Sequence, residues 1–191
     1  MTVTSDQWHI DEGWLAAARR VPSPNFNARP AGIEPELIVI HGISLPPGEY
    51  GGPEIESLFT NGLDPDAHPY FAEIAHLKVS AHFLICRAGA LTQFVATDDR
   101  AWHAGESCWQ GRENCNDFSV GIELEGCDDE PYSDHQYESL QSLLAALRKA
   151  YPRIRGDAIV GHSDIAPGRK TDPGAAFDWS RVQRDCVEAI E

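Results

Sequence analysis

The chain has 191 residues, of which 42% are hydrophobic, and its 15 basic against 30 acidic side chains leave a formal net charge of −15. That length predicts one domain over 1–191, and that apolar share is enough for a real core, so wholesale disorder is excluded. The acidic balance argues against nucleic acid or an anionic membrane surface as a partner, and an anionic substrate would need local cations.

The opening stretch "MTVTSDQWHIDEGW" carries acids and no apolar run, so it does not read as a secretion signal. No stretch approaches the roughly 18 apolar residues of a membrane span, and the expected compartment is the cytoplasm. "VPSPNFNARPAG" (21–32) and "SLPPGEYGGP" (44–53) are rich in Pro and Gly and are expected to be loops. Between them "ELIVIH" (36–41) is a short apolar, β-branched run, which predicts a buried strand ending at His41. "EIESLFTNG" (54–62) reads as a short helix, with Pro53 just inside its start and Gly62 just past its end.

"LKVSAHFLIC" (77–86) alternates: Lys78, Ser80 and His82 face one way, and Val79, Ala81, Phe83 and Ile85 the other. "LTQFVAT" (91–97) is expected to pair with it after the turn at "RAGA". "SVGIELEG" (119–126) puts Val120, Ile122 and Leu124 on one face and Ser119, Gly121, Glu123 and Glu125 on the other. The strongest helix is "SDHQYESLQSLLAALRKAY" (133–151), with a capping box at Ser133 and Gln136 and an apolar stripe through Tyr137, Leu140, Leu143, Leu144, Leu147 and Tyr151. "AIVGH" (158–162) predicts a last short strand ending at His162, and "DWSRVQRDCVEAIE" (178–191) a closing helix capped by Asp178. Interleaved strands and helices place the chain in the α/β (α+β) class, with a single mixed central sheet flanked by helices. The five cysteines (Cys86, Cys108, Cys115, Cys127 and Cys186) are odd in number and show no CxxC spacing. They are expected to be thiols in a reducing compartment rather than a disulfide framework or a zinc knuckle.

Two of the eight histidines, His41 and His162, stand where an apolar strand gives way to a Gly/Pro loop, and open sheets place ligands at strand ends. Asp172 follows His162 by ten residues, across a loop that can fold back. Two neutral imidazoles and one carboxylate make a three-ligand zinc site with a fourth position open, the pattern of a catalytic rather than a structural zinc. The competing reading of Asp172 is a turn starter ahead of Pro173 and Gly174. Glu123 lies on the polar face of its strand, where a carboxylate can take a proton from attacking water and pass it to a leaving amine. Glu125, two residues along on the same face, competes for that role. Lys170 could stabilise an oxyanion or be an ordinary surface lysine beside Arg169. These alternatives stay open on the residues alone.

The strings "LIVIHGISLPPGEYGGP", "AHPYF", "HLKVSAHFLI", "RAWHAG", "GRENCNDFSVGIELEG" and "GHSDIAPGRKTDPGAAFDW" closely resemble the AmpD-type 1,6-anhydro-N-acetylmuramyl-L-alanine amidases. The resemblance runs from about "DEGWLAAARRVPSPNFN" to the C-terminal helix. It implies the peptidoglycan-recognition and phage-lysozyme-type amidase fold and one Zn2+ per chain. The implied activity is cleavage of the amide between the lactyl group of muramic acid and L-alanine, on anhydro-muropeptides brought into the cytoplasm for recycling. It assigns the zinc ligands to His41, His162 and Asp172, the catalytic glutamate to Glu123 rather than Glu125, and the transition-state lysine to Lys170. For the substrate it points to Trp102 on the saccharide side of the cleft. Lys78 stands where the family usually has arginine and is a candidate for a peptide carboxylate, and Asn114 stands where some members carry a basic residue near the stem peptide. Gly42 replaces the asparagine that usually follows the first histidine. Three other readings are an amidase acting on intact murein, which would require export, a non-catalytic muropeptide-binding module, which would have lost zinc ligands, and an interaction protein in which the histidines are merely structural.

Overall fold

The computed structural model describes residues 7–183; of the closing helix expected over 178–191, positions 184–191, Cys186 included, lie outside the described residues. Two short strands come first, β1 (Ile10–Asp11) antiparallel to β2 (Trp14–Leu15), then β3 (Arg19–Arg20) and β4 (Phe26–Ala28). The long strand β5 (Leu37–Ile43) precedes two one-to-two-turn helices, α1 (Glu54–Phe59) and α2 (Pro69–Ile74). Next are β6 (Phe83–Ile85), β7 (Leu91–Gln93), β8 (Asp99–Ala101) and the pair β9 (Cys108–Trp109) and β10 (Arg112–Glu113). The chain continues with β11 (Ser119–Glu125), α3 (Asp134–Ala150), β12 (Ile159–Gly161), α4 (His162–Ile165) and α5 (Ser180–Gln183).

Six strands form one mixed sheet in the order β12-β5-β11-β6-β7-β3. β12, β5, β11 and β6 run parallel, β7 turns back antiparallel to β6, and β3 pairs parallel with β7 at the edge. Alternation along β5 and β11 sends Ile38, Ile40, Val120, Ile122 and Leu124 to one face, where they meet the stripe Tyr137, Leu140, Leu143, Leu144 and Leu147 of α3. Leu140, Leu143 and Leu147 are fully buried, so truncating one to alanine would cost about 2–5 kcal/mol. On the opposite face Leu37 and Val39 pack with Ala104, Cys115, Phe118 and Ile165. Further along that face, α1 and α2 cover Leu84 and Phe94 with Leu58, Phe59 and Phe71. Because both faces are covered, all seven residues of β11 are buried, its two glutamates included.

The capping box of α3 is present: Ser133 Oγ accepts the Gln136 N–H (3.2 Å) and Gln136 Oε1 accepts the Ser133 N–H (3.0 Å). The Gln136 amide also donates to the carbonyls of Ile85 and Glu125, tying the helix start to the ends of β6 and β11. Several sequence expectations change: the strand expected over 91–97 shortens to Leu91–Gln93, and Pro53 stands at the N-cap of α1 rather than inside it. β5 continues two residues past His41 to Ile43. His162 opens the short helix α4 instead of closing a strand. The strand expected over 77–86 shortens to Phe83–Ile85. Its upstream part does not alternate between water and core, because Ser80 and His82 are buried as well. Their polar atoms are satisfied inside: Ser80 Oγ donates to Asn25 O (2.7 Å), and His82 Nδ1 accepts the Gly121 N–H (3.0 Å). Finally, α2 has no counterpart in the sequence reading. It is only six residues long, started by Pro69 and by His68, whose Nδ1 accepts the Tyr70 N–H at 3.1 Å. Cys86, Cys108, Cys115 and Cys127 are free thiols, as expected.

Candidate metal centre and cleft

Strand register decides which side chains meet. β5 and β11 pair with His41 opposite Glu123, and β12 pairs with β5 with Gly161 opposite Ile40. Partners across a parallel pair point to the same face, so His41 and Glu123 emerge side by side and His162, the next residue after β12, arrives beside them. Asp172 comes back to this point along the loop after α4, where its carbonyl accepts the Ser163 N–H at 3.0 Å. Arg169 fastens that loop to its neighbour by donating to the carbonyls of Ala104 (2.7 Å) and Glu106 (2.5 Å).

Three donor atoms converge. His41 Nδ1 lies 3.0 Å from His162 Nδ1 and 3.2 Å from Asp172 Oδ2, and His162 Nδ1 lies 3.1 Å from the same oxygen. Hydrogen bonds alone satisfy such a triangle poorly, because only one proton fits between two ring nitrogens. The edges approach the roughly 3.3 Å separating donors on a tetrahedron with bonds of about 2.0–2.1 Å, so the three residues fit a zinc-sized cation. Their protonation suits it too. Burial pushes the His41 imidazolium down to about 4, with the neighbouring Asp172 carboxylate opposing, so the ring is neutral at neutral pH. Burial raises the Asp172 carboxyl, but the His162 and His41 rings beside it outweigh that and hold the group well below the usual carboxylate range. Among the described residues these three form the cluster able to hold a metal. Each imidazole has a partner at its far side: His162 Nε2 lies 3.0 Å from Ala104 O, and His41 Nε2 lies 2.9 Å from His103 Nδ1.

Glu123 is 8% exposed and its Oε2 has no hydrogen-bond partner. Burial pushes its carboxyl well above the usual range, the Asp172 charge adds to that, and the Lys170 charge opposes it. Lys170 is itself exposed and lines the same cleft, a cavity of ≈ 640 Å³ whose floor is His41, Glu123, His162 and Asp172. Leu58, Tyr70, Ile74 and Val79 make one wall apolar, with Trp102 also lining the cavity. The Trp102 indole N–H donates to Asn27 Oδ1 at 2.6 Å and its backbone N–H to Ser80 Oγ at 3.1 Å, which orients the ring. Lys78 and Asn114 are both exposed and lie outside the residues lining this cleft. Asn114 borders a separate depression with Cys108 and Arg169. At Gly42 the absent side chain has a local cause: a Cβ there would sit 2.4 Å from Tyr132 Oη, which donates to Pro173 O at 2.9 Å. A phenol from the 126–132 connection thus occupies the place that a side chain at position 42 would take.

His103, Ala104 and Asn116 carry no signal in the sequence, although all three lie just behind His41 and His162. His103 and Ala104 follow Trp102 in "RAWHAG", a loop without periodicity, so no pattern marked them.

The family model described as N-acetylmuramoyl-L-alanine amidase matches residues 27–175. The 1,6-anhydro-N-acetylmuramyl-L-alanine amidase AmpD of Salmonella typhimurium (strain SL1344) is 61% identical over 173 residues, covering 91% of this chain and 92% of that protein. A crystal structure of a selenomethionine derivative of AmpD superposes with a TM-score of 0.90 at 60% identity, over 93% of this chain and 98% of that one. The Pseudomonas aeruginosa protein AmpDh3, crystallised in complex with anhydromuramic pentapeptide, superposes with a TM-score of 0.58 at 30% identity, over 80% of this chain and 60% of that one.

Proposed function

The chain belongs to the N-acetylmuramoyl-L-alanine amidase family, and from that premise we propose that it is a zinc-dependent, single-domain amidase of cytoplasmic peptidoglycan recycling. The proposed substrate is a 1,6-anhydro-N-acetylmuramyl peptide, cut at the amide between the lactyl group and L-alanine. The convergence of His41 Nδ1, His162 Nδ1 and Asp172 Oδ2 within 3.2 Å of one another carries this reading. The relatives named AmpD support the anhydro-sugar substrate, as does the muropeptide held by AmpDh3. Among the described residues no helix is long and apolar enough to cross a membrane.

His41, His162 and Asp172 would hold the Zn2+. When bound in such an open three-ligand site, Zn2+ lowers the pKa of water from about 15.7 towards 7 and polarises a carbonyl. Glu123, buried and with one oxygen unpartnered, takes the proton of the attacking water. The lactyl carbonyl carbon becomes tetrahedral and its oxygen gains negative charge. Lys170 offers its ammonium to that oxygen, the type of stabilisation worth about 2.7–4 kcal/mol. Glu123 then gives the proton to the L-alanine nitrogen, the C–N bond breaks, and the anhydro-sugar acid and the free stem peptide leave. Its burial suits Glu123 to hold a proton between these two steps. Trp102 offers an aromatic face to the saccharide.

The test is mass spectrometry of products from anhydro-muropeptide and from intact sacculi, with and without chelator. Release of stem peptide from the soluble fragment, abolished by chelator and restored by Zn2+, is the expected result. Equal turnover on sacculi would replace the recycling substrate with intact murein. Unchanged turnover after verified metal removal would refute the zinc reading. Metal analysis of Asp172→Ala checks the ligand set: wild-type zinc stoichiometry and affinity would remove Asp172 from it.

A further inference from the structure

A histidine that binds a metal through one ring nitrogen must carry its proton on the other, and whatever accepts that proton sets both tautomer and ring orientation. In His41 the nitrogen facing His162 and Asp172 is Nδ1, which puts the proton on Nε2. Nε2 lies 2.9 Å from His103 Nδ1, so His103 accepts there and carries its own proton on Nε2. That nitrogen lies 3.0 Å from Ser119 Oγ, which accepts in turn. Every donor in the series from His41 through His103 to Ser119 therefore has one direction. The rings of His41 and His103 meet edge to face, with an interplanar angle of 87°.

Two independent features show that the surroundings are shaped around this ring. The first is Gly121, which lies between Ser119 and Glu123 on β11. A Cβ at that position would fall 2.4 Å from His103 Cγ, so only glycine leaves room for the imidazole behind His41. The second is Asn116, a buried side chain whose Oδ1 accepts the backbone N–H groups of both His103 (3.1 Å) and Ala104 (2.8 Å). Ala104 O is the acceptor for His162 Nε2. Adjacent residues thus receive the outer protons of both histidines, and one amide oxygen pins the two together.

We propose that His103 is the positioning residue of the metal centre: it holds His41 in the Nε2–H tautomer with Nδ1 presented to the cation, and with Ala104, pinned by Asn116, it presets both histidine ligands. This rests on the zinc reading above. It extends that reading from the ligands to the groups that aim them.

The experiment uses metal-free full-length protein and Zn2+ alone, with affinity measured by chelator competition and imidazole 15N shifts reporting tautomers. His103→Phe fills the volume but accepts no proton; its zinc affinity should fall about 10–100-fold, and the single His41 tautomer should become a mixture. His103→Gln, whose side-chain oxygen can accept the His41 proton, should recover part of that loss. Wild-type affinity and an unchanged His41 tautomer in folded His103→Phe would overturn the proposal. If His103→Phe does not fold, wild-type protein decides: His41 protonated on Nδ1, or exchanging between tautomers, in the metal-free state would equally overturn it. A wild-type chain that binds no Zn2+ while His41 keeps its Nε2–H tautomer would refute the zinc reading and leave the positioning contact standing.

Discussion

Glu123 and Glu125 stand two residues apart on β11, on the same face and at nearly the same depth, 8% and 4% exposed. What lies over them differs. Above Glu125 the 44–53 loop and the turn after β6 close in, and its two oxygens accept the backbone N–H groups of Gly51 (2.5 Å) and Arg87 (3.0 Å). Above Glu123 the cleft opens, one of its oxygens has no partner, and its neighbours in charge are Asp172 and Lys170. A buried acid whose acceptors are all engaged holds loops in place; a buried acid left partly unsatisfied at a cavity floor is available for proton transfer.

The sharpest way to break this contrast is to neutralise each acid in turn. Glu123→Gln should lower kcat by about 10²–10⁴-fold, with zinc content and Tm unchanged, while Glu125→Gln should stay within about tenfold of wild type. Equal losses in steady-state assays would erase the distinction. Lys170→Ala should cost about 10²–10³-fold in kcat with little change in KM, because the ammonium acts on charge that develops only in the transition state. A loss confined to KM would make Lys170 a binding group instead. Stability should invert the ranking: Glu125→Ala removes the acceptor of two part-buried backbone N–H groups and should cost about 1–2 kcal/mol in urea unfolding, whereas Glu123→Ala removes an unpaired acid and should cost less.

The smallest effect concerns His82, which belongs with Glu125 among the engaged groups. Its Nδ1 accepts the Gly121 N–H and its Nε2 donates to Asp99 O, with Arg29 and the His103 ring as its charged and titratable neighbours. Burial first, and Arg29 second, push His82 down to about 3. The unfolded chain therefore takes up this proton first. The stability His82 contributes is complete above about pH 6.5 and is lost as pH falls towards 3. Over the first pH unit below 6.5 the loss is at most about 1.4 kcal/mol. His82→Gln should flatten that slope in denaturant titrations; an unchanged slope would mean that His82 titrates normally in the fold.

Legibility followed periodicity. β5, β11 and α3 were readable because their apolar residues repeat at two or at three-to-four, and α3 carries its cap in Ser133 and Gln136. The segment 77–82 misled because alternation normally separates water from core, and here Ser80 and His82 are buried by partners 22 to 55 residues away. The hairpin of β9 and β10 has two residues per strand, too short for any pattern. In the site, His41, His162, Asp172, Glu123 and Lys170 were selected from strand ends, spacing and family resemblance, and the fold brings all five to one cleft. Lys78, offered by the resemblance, by its strand face and by the need for local cations, and Asn114, offered by the resemblance alone, lie outside its lining.

The chemical inventory was present in the chain order: which faces are apolar, which acids and histidines fall at strand ends, and a loop rich in Gly and Pro between His162 and Asp172. These are local properties, set by side-chain type and backbone period. The tertiary structure alone decided which of two equivalent glutamates faces open space. It alone placed His103 behind His41 through the vacancy at Gly121, and gave His41 and His162 acceptors on adjacent residues. Those outcomes depend on parallel register and on loops returning from 13 to 131 residues away, and no local pattern encodes a distance of that kind.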